Sequence, residues 1–205
     1  MAALLDIAPH PDWRGRGHGW AMWRAAVKRL EGCVIGLDGV LAEQDNYRRS
    51  GFTLAWRNIR FEGIAPPRPD ADCGAVALTS LPAQMLSDFD RRYFPSRREA
   101  FLASWIAQPG TVGLGVTKGV ALAACGVVRP CREGFKIGPL HAQSPELATD
   151  LLHQLLAALP AGARFNLDVP EPNAAALALA RGAGMSPVFE TARMYAGAPP
   201  AMETD

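Results

Sequence analysis

The stretch Ala8-Pro9-His10-Pro11-Asp12-Trp13-Arg14-Gly15-Arg16-Gly17-His18-Gly19 decides the fold. An apolar run, Leu4-Leu5-Asp6-Ile7-Ala8, leads into it and reads as a short strand. A helical pattern leads out of it: residues 19–30 carry Trp20, Trp23, Ala26, Val27 and Leu30 at the spacing of one helix face. A strand therefore passes through a glycine-rich turn into a helix. Backbone N–H groups of such a turn, with the helix N-terminus behind them, form an anion site. Glycine lets a pyrophosphate come close to the backbone. The dinucleotide fingerprint GxGxxG fails because Trp20 stands where its third glycine would be, and the GK[ST] of a Walker loop is absent.

Outward from this turn, Gly32 stops the helix, and Val34-Ile35-Gly36-Leu37 is a compact strand. Residues 42–50 form a short polar helix closed by Gly51, and residues 52–61 alternate as a strand. The run Gly63-Ile64-Ala65-Pro66-Pro67-Arg68-Pro69-Asp70 then packs three prolines into four residues, which neither a helix nor a central strand accommodates. Beyond it the pattern predicts a strand over 75–81 and helices over 84–91 and 97–107, the second with Ser96 and Glu99 at capping-box spacing. Strands follow over 111–116, 120–128 and 136–140. A leucine-rich helix over 144–159 has Pro145 in its first turn. A strand over 164–169, a helix over 173–183 and a strand over 188–195 complete the pattern. The order strand, long helix, strand, short helix ending in Gly, strand thus occurs twice, over 4–61 and 135–195, with Gly51-Phe52 matching Gly184-Met185. The economical reading is a duplicated α/β (α+β) fold: a mixed, mainly antiparallel sheet flanked by helices, in two copies of which the first is partial. The expected domains are 1–63, a linker over 64–71, a second domain over 72–197 and a tail over 198–205.

Composition narrows the function classes. Of 205 residues, 49% are hydrophobic and 20% charged, enough to fill a core, and the net charge of +1 gives no field for nucleic acid or an anionic membrane. No apolar run reaches the roughly 18 residues of a membrane span, and the N-terminus lacks the basic region of a signal peptide. Cys33, Cys73, Cys125 and Cys131 form no CxxC pair, and no His is spaced to complete a zinc site with them. They read as reduced thiols of a cytoplasmic protein, with Cys33 and Cys125 as small buried hydrophobes.

Two motifs carry a family resemblance. Arg14-Gly15-Arg16-Gly17-His18-Gly19 resembles the (R/Q)xxGxG acetyl-CoA motif of GNAT-family N-acetyltransferases. Tyr47-Arg48-Arg49-Ser50-Gly51-Phe52 resembles the family's second element, Y-x-x-x-G-F, and one helix and one strand lie between the two as in the family. The chain further looks like tandem GNAT proteins, which carry runs like Arg129-Pro130-Cys131-Arg132-Glu133-Gly134-Phe135-Lys136-Ile137-Gly138-Pro139-Leu140 and Phe189-Glu190-Thr191-Ala192-Arg193-Met194-Tyr195. Such proteins ordinarily have more residues at both ends, so the resemblance implies a chain truncated at both.

The resemblance implies the GNAT fold and transfer of an acetyl group from acetyl-CoA, with no metal, to a primary amine of a small molecule or protein. It implies no nucleic acid or membrane partner and leaves room for an oligomer. Backbone N–H groups of Gly17, His18, Gly19 and Trp20 would hold the CoA pyrophosphate, with Arg14 and Arg16 adding charge nearby. Strand N–H groups near Ala8 would steady the oxyanion, and Tyr47 would protonate the departing thiolate. Asp6, on the same strand, is a candidate base, with a structural or exposed role as its alternative. Pro9 departs from the pattern because it has no N–H to give the pantetheine arm. In the second copy Ala142-Gln143-Ser144-Pro145-Glu146 replaces the glycine-rich turn, which implies a degenerate site. Arg129, Arg132 and Lys136 read as a solvated hairpin, with a carboxylate or phosphate site as the alternative, and His10 and His18 as solvated loop residues. The rival function is a CoA-binding or structural GNAT-like protein without turnover, or an inactive truncated gene product.

Overall fold

The computed structural model describes Ala2, Ala3 and residues 10–67 and 73–201. In chain order the elements are β1 (Ala2–Ala3), α1 (His18–Arg29), β2 (Ile35–Val40), α2 (Gln44–Arg49), β3 (Thr53–Ile64), β4 (Val76–Ala77), α3 (Ala83–Tyr93) and α4 (Glu99–Ile106), then β5 (Val112–Lys118), β6 (Ala121–Pro130), β7 (Phe135–Ala142), α5 (Pro145–Ala157), β8 (Arg164–Pro170), α6 (Ala174–Gly182) and β9 (Ser186–Ala196). The expected strand over 4–8, with Asp6 and Ala8, and part of the proline-rich run lie outside the described residues. The chain forms two compact units, one of Met1–Asn58 with Glu190–Ala201 and one centred on Ile59–Phe189.

In the first unit the strand order is β1-β2-β9-β3. β1 runs parallel to β2, with Ala2 opposite Ile35 and Ala3 opposite Gly36. β2 runs antiparallel to β9 over six pairs, from Ile35 opposite Ala196 to Val40 opposite Thr191. The period of two along both strands sorts their side chains. Ile35, Leu37, Ala192 and Met194 form a core with Phe52, against which Trp23, Val27, Leu30 and Tyr47 pack. Gly36, Asp38, Arg193 and Tyr195 fall on the opposite face. Helix α1 begins its packed face at Trp23. Trp20, on the same sequence stripe, is 53% exposed. Cys33, expected to be buried, is exposed in the turn after α1.

The second unit has the order β3-β8-β7-β6-β5-β4. β4 to β7 pair antiparallel, and β7 pairs with β8 in parallel only from Phe135–Phe165 to Ile137–Leu167. The sheet is thus mixed, flanked by helices. Leu151, Leu152, Leu155 and Leu156 of α5 are all buried in its core with Phe61, Val128, Ile137 and Phe165. The helix approaches β6 closely at Gly126, where a Cβ would come within 2.6 Å of a Leu155 methyl. Residues 75–81, expected as one strand, give only the two residues of β4. A single 3-10 turn over Leu78–Ser80 then swings the buried Leu78 inward.

Helix starts follow local chemistry. The Ser144 hydroxyl accepts the Leu147 N–H at the start of α5, and Asn173 Oδ1 accepts the Ala176 N–H at 2.7 Å for α6. The capping box at Ser96 does not form: Arg98 is the N-cap of α4 without a side-chain cap, and Glu99 accepts from the Ser87 hydroxyl at 2.9 Å instead. Arg98 has a stronger partner that fixes this geometry. Its guanidinium grips the buried Asp90 carboxylate through two bonds of 2.8 and 2.6 Å and stacks 3.9 Å from the Phe94 ring centre. Nearby, His141 stacks flat on Tyr93 with centroids 4.0 Å apart. Burial pushes the His141 pKa down to about 4, so the imidazole is neutral at neutral pH. The fully enclosed Cys125 thiol is pushed up to about 12.

Candidate functional site

The glycine-rich turn is exposed. Pro11–Trp13 form one 3-10 turn ahead of it. Gly15 and Gly17 follow with φ of 75° and 81°, left-handed values that glycine adopts without strain. A Cβ at either would meet nothing within 4 Å, so the space over the backbone is free. Gly17 is the N-cap of α1 and offers no side chain to cap it. The first intrahelical bond runs from Ala21 N–H to Gly17 C=O at 3.0 Å, so the N–H groups of His18, Gly19 and Trp20 precede the ladder. Partial positive charge gathers at this 12-residue helix's N-terminus. These residues fit an anionic diphosphate.

Side chains around the turn are arranged in a row. The Arg16 guanidinium lies 5.3 Å from the Trp13 ring centre, and Trp13 meets His18 edge-on at 5.6 Å. Arg14 ends the 3-10 turn as its C-cap. His10 pairs with Asp12 at 3.4 Å in the open. A groove of about 800 Å3 lies along α1, walled by Trp20, Trp23, Val27, Leu30, Ile35 and Ser50.

Tyr47 is placed by the end of its own helix. The Phe52 N–H bonds to the Tyr47 carbonyl at 3.1 Å and the Gly51 N–H to the Arg48 carbonyl at 3.0 Å, with Gly51 at φ 86°. That is a Schellman cap, whose apolar C″ residue is Phe52. The motif Tyr47-x-x-x-Gly51-Phe52 therefore encodes a helix stop that fixes its tyrosine. The Tyr47 ring rests on the Gly39 backbone, where a Cβ would fall 2.2 Å from a ring carbon, and lies 5.6 Å from the Trp23 ring. Trp23 is held in turn by its indole N–H donating to the Ser50 hydroxyl at 2.9 Å. Burial, and then the charge of Glu43, raise the phenol's pKa above its ordinary 10. It stays protonated at neutral pH, the state a general acid needs. Glu43 precedes Tyr47 by four residues, a spacing that places the two on one face of the short helix expected over 42–50.

The basic hairpin resolves differently from a ligand site. Lys136 and Arg60 both engage Asp168, Arg60 through bonds of 2.7 and 3.0 Å. The Arg129 guanidinium lies 4.8 Å from the Trp105 ring centre. Among the described residues no group of His, Cys, Asp and Glu could hold a metal, and no helix is long and apolar enough to cross a membrane.

On the far face of the first unit's sheet, Asp38, Asn58, Arg193 and Tyr195 form a connected polar set that was not read from the sequence. Its signal was the alternation of Thr191, Arg193 and Tyr195 with Ala192 and Met194, a strand showing a polar side.

Known proteins resemble this chain along most of its length. The holothin acyltransferase of Pseudoalteromonas sp. (strain SANK 73390) is 26% identical over 190 residues, which is 93% of this chain and 65% of that protein. A putative acetyltransferase from Pyrococcus horikoshii superposes with a TM-score of 0.78 at 25% identity, covering 95% of this chain and 64% of that one. The chain thus spans less than two thirds of either relative. A tandem GNAT protein from the clavulanic acid biosynthesis pathway shares the fold, with a TM-score of 0.65 at 17% identity over 97% of this chain and 75% of that one. The model of the acetyltransferase (GNAT) domain family matches residues 86–205. That match begins after the glycine-rich turn and Tyr47, and its last part includes the stretch of β9 that belongs to the first unit. With more than half of its residues matched, the chain belongs to the GNAT acetyltransferase family.

Proposed function

We propose that the protein is an N-acyltransferase that moves an acetyl group from acetyl-CoA to a primary amine, with the donor bound at the glycine-rich turn. The observation that carries this reading is the open turn at Gly15 and Gly17 in front of the uncapped helix α1, in the same unit as a protonated Tyr47. The N–H groups of Gly17, His18, Gly19 and Trp20 hold the diphosphate, and Arg14 and Arg16 supply charge beside it. Backbone N–H groups near Ala8 steady the thioester oxygen. The amine nitrogen bonds to the acyl carbon, the C–S bond breaks, Tyr47 gives its proton to the thiolate, and the nitrogen releases its own proton to solvent or a base such as Asp6. We also infer that the runs β1-α1-β2-α2-β3 and β7-α5-β8-α6-β9 are two copies of one fold, of which the second has lost its donor site. A reading as a CoA-binding protein without turnover draws on Pro9, which has no N–H for the pantetheine arm.

Calorimetry with acetyl-CoA, followed by a panel of primary amines read by free-thiol release, tests the proposal. Binding and thiol release with at least one amine are expected, and Gly19→Glu should abolish binding by bulk and charge at the diphosphate. A folded Gly19→Glu variant with unchanged affinity would move the donor site elsewhere. Binding without thiol release for any amine would favour the reading without turnover.

A further inference from the structure

The far face of the first unit's sheet holds a polar set that donor binding leaves unused. Asp38 and Arg193 are direct cross-strand partners on β2 and β9. The Arg193 guanidinium donates from Nη1 to Asp38 Oδ2 at 2.7 Å and from Nε to the Tyr195 hydroxyl at 3.0 Å. Asp38 Oδ1 accepts from Asn58 at 2.6 Å, and the Trp56 indole N–H donates to Asn58 Oδ1 at 3.0 Å. Tyr195 is fully buried, with its ring seated where a Cβ on Gly36 would come within 2.9 Å. Both charged groups are therefore held at fixed positions. Both also stay accessible, since the Asp38 side chain is 42% and that of Arg193 20% exposed. Among the described residues Arg193 Nη2 has no hydrogen-bond partner.

Position along β2 connects this pair to the chemistry. Tyr47 lies on Gly39 from one face of the strand, and Asp38, one residue earlier, projects from the other. Asp38 also lies two residues beyond Gly36, the last described partner of β1. If the thioester sulfur faces Tyr47, the nucleophile reaches the acyl carbon from the Asp38 side. We propose that Asp38 and Arg193 dock the acceptor, and that the acceptor bears an ammonium and a carboxylate, as a free amino acid does; this rests on the acyltransferase reading above. Asp38 receives the ammonium, which gives one proton to solvent before its nitrogen attacks the acyl carbon, and Arg193 Nη2 receives the carboxylate. The pair is neutral overall, so a simple amine meets the repulsion of Arg193 and a simple acid that of Asp38, whereas a zwitterion matches both charges. Tyr195, Asn58 and Trp56 are positioning residues for the two.

The test compares free L-amino acids with their decarboxylated amines, by saturation-transfer NMR for binding and by thiol release for turnover. Calorimetric titration of acetyl-CoA is run on the same samples. At least one amino acid should be preferred over its amine by about tenfold or more in kcat/KM, carried by KM. Arg193→Gln should bring that ratio near one, and Arg193→Lys should keep part of it, while acetyl-CoA affinity is unchanged in both. A wild-type ratio near one for every pair, or a ratio that survives Arg193→Gln, overturns the inference and leaves the acyltransferase reading intact. The wild-type ratio decides even if a variant fails to fold. Absence of acetyl-CoA binding overturns both.

Discussion

Tyr47 separates fold from chemistry at the scale of one residue. Its ring is a packing element, set against Trp23 and the bare backbone of Gly39. Its hydroxyl has no hydrogen-bond partner among the described residues. Tyr47→Phe should therefore leave the melting temperature and acetyl-CoA affinity nearly unchanged while lowering turnover by about 10²–10⁴-fold. Burial and Glu43 raise the phenol's pKa, so wild-type turnover should show no loss from Tyr47 ionisation until pH is above about 10. A variant with full turnover at neutral pH would take Tyr47 out of the reaction. His141 gives the converse case, a titratable group kept neutral by its surroundings. Its folded pKa of about 4 lies below the ordinary 6.5, so the unfolded chain takes up the proton first. Its contribution to stability is fully present above pH 6.5 and is lost as pH falls toward 4. His141→Phe, which keeps a ring on Tyr93, should close the gap between stability at pH 7 and pH 5 by about 2 kcal/mol in urea titrations.

At the scale of elements, capping shows which local signals decide a helix start. Ser96 has capping-box spacing in the sequence and Ser144 opens the expected helix over 144–159, but only Ser144 accepts a backbone N–H. Ser144→Ala should cost about 1 kcal/mol, and Ser96→Ala close to nothing. Equal losses from the two would mean that the Ser96 box forms in solution. The contrast also explains what was legible. Helix and strand order was readable because periodic apolar residues record which face is buried, as in the leucines of α5 and the alternation of β9. The glycine-rich turn and the Gly51 stop were readable because positive φ restricts the residue type. The start of α4 was not, because the tertiary pair Asp90–Arg98 outweighs a local hydrogen bond. Nor was the Asp38–Arg193 pair, since residues 155 positions apart meet only through strand pairing. The short β4 was missed because residues 75–81 carry a strand's apolar content, yet Leu78 enters the core through a turn.

For the whole molecule, the two strand–helix crossovers invite comparison as anion sites. Both β1-α1-β2 and β7-α5-β8 join parallel strands through a helix, the connection that aims a helix N-terminus at the ends of the strands. What differs is the state of the N–H groups there. At α1 the cap is Gly17, and among the described residues no side chain accepts from the N–H groups that follow. At α5 they are already used. Pro145 has no N–H, the Glu146 carboxylate takes its own backbone N–H, and the Ser144 hydroxyl takes that of Leu147. The Glu146 carboxylate, its pKa held below the usual range by that N–H and by Ser144, is charged at neutral pH and repels a diphosphate. The full chain should therefore bind one acetyl-CoA, and calorimetric titration should give a stoichiometry near one. Gly19→Glu should remove all of that binding, whereas Glu146→Gln should leave both stoichiometry and affinity as they are. Two acetyl-CoA per chain, or residual tight binding in Gly19→Glu, would overturn the assignment of a single donor site to α1.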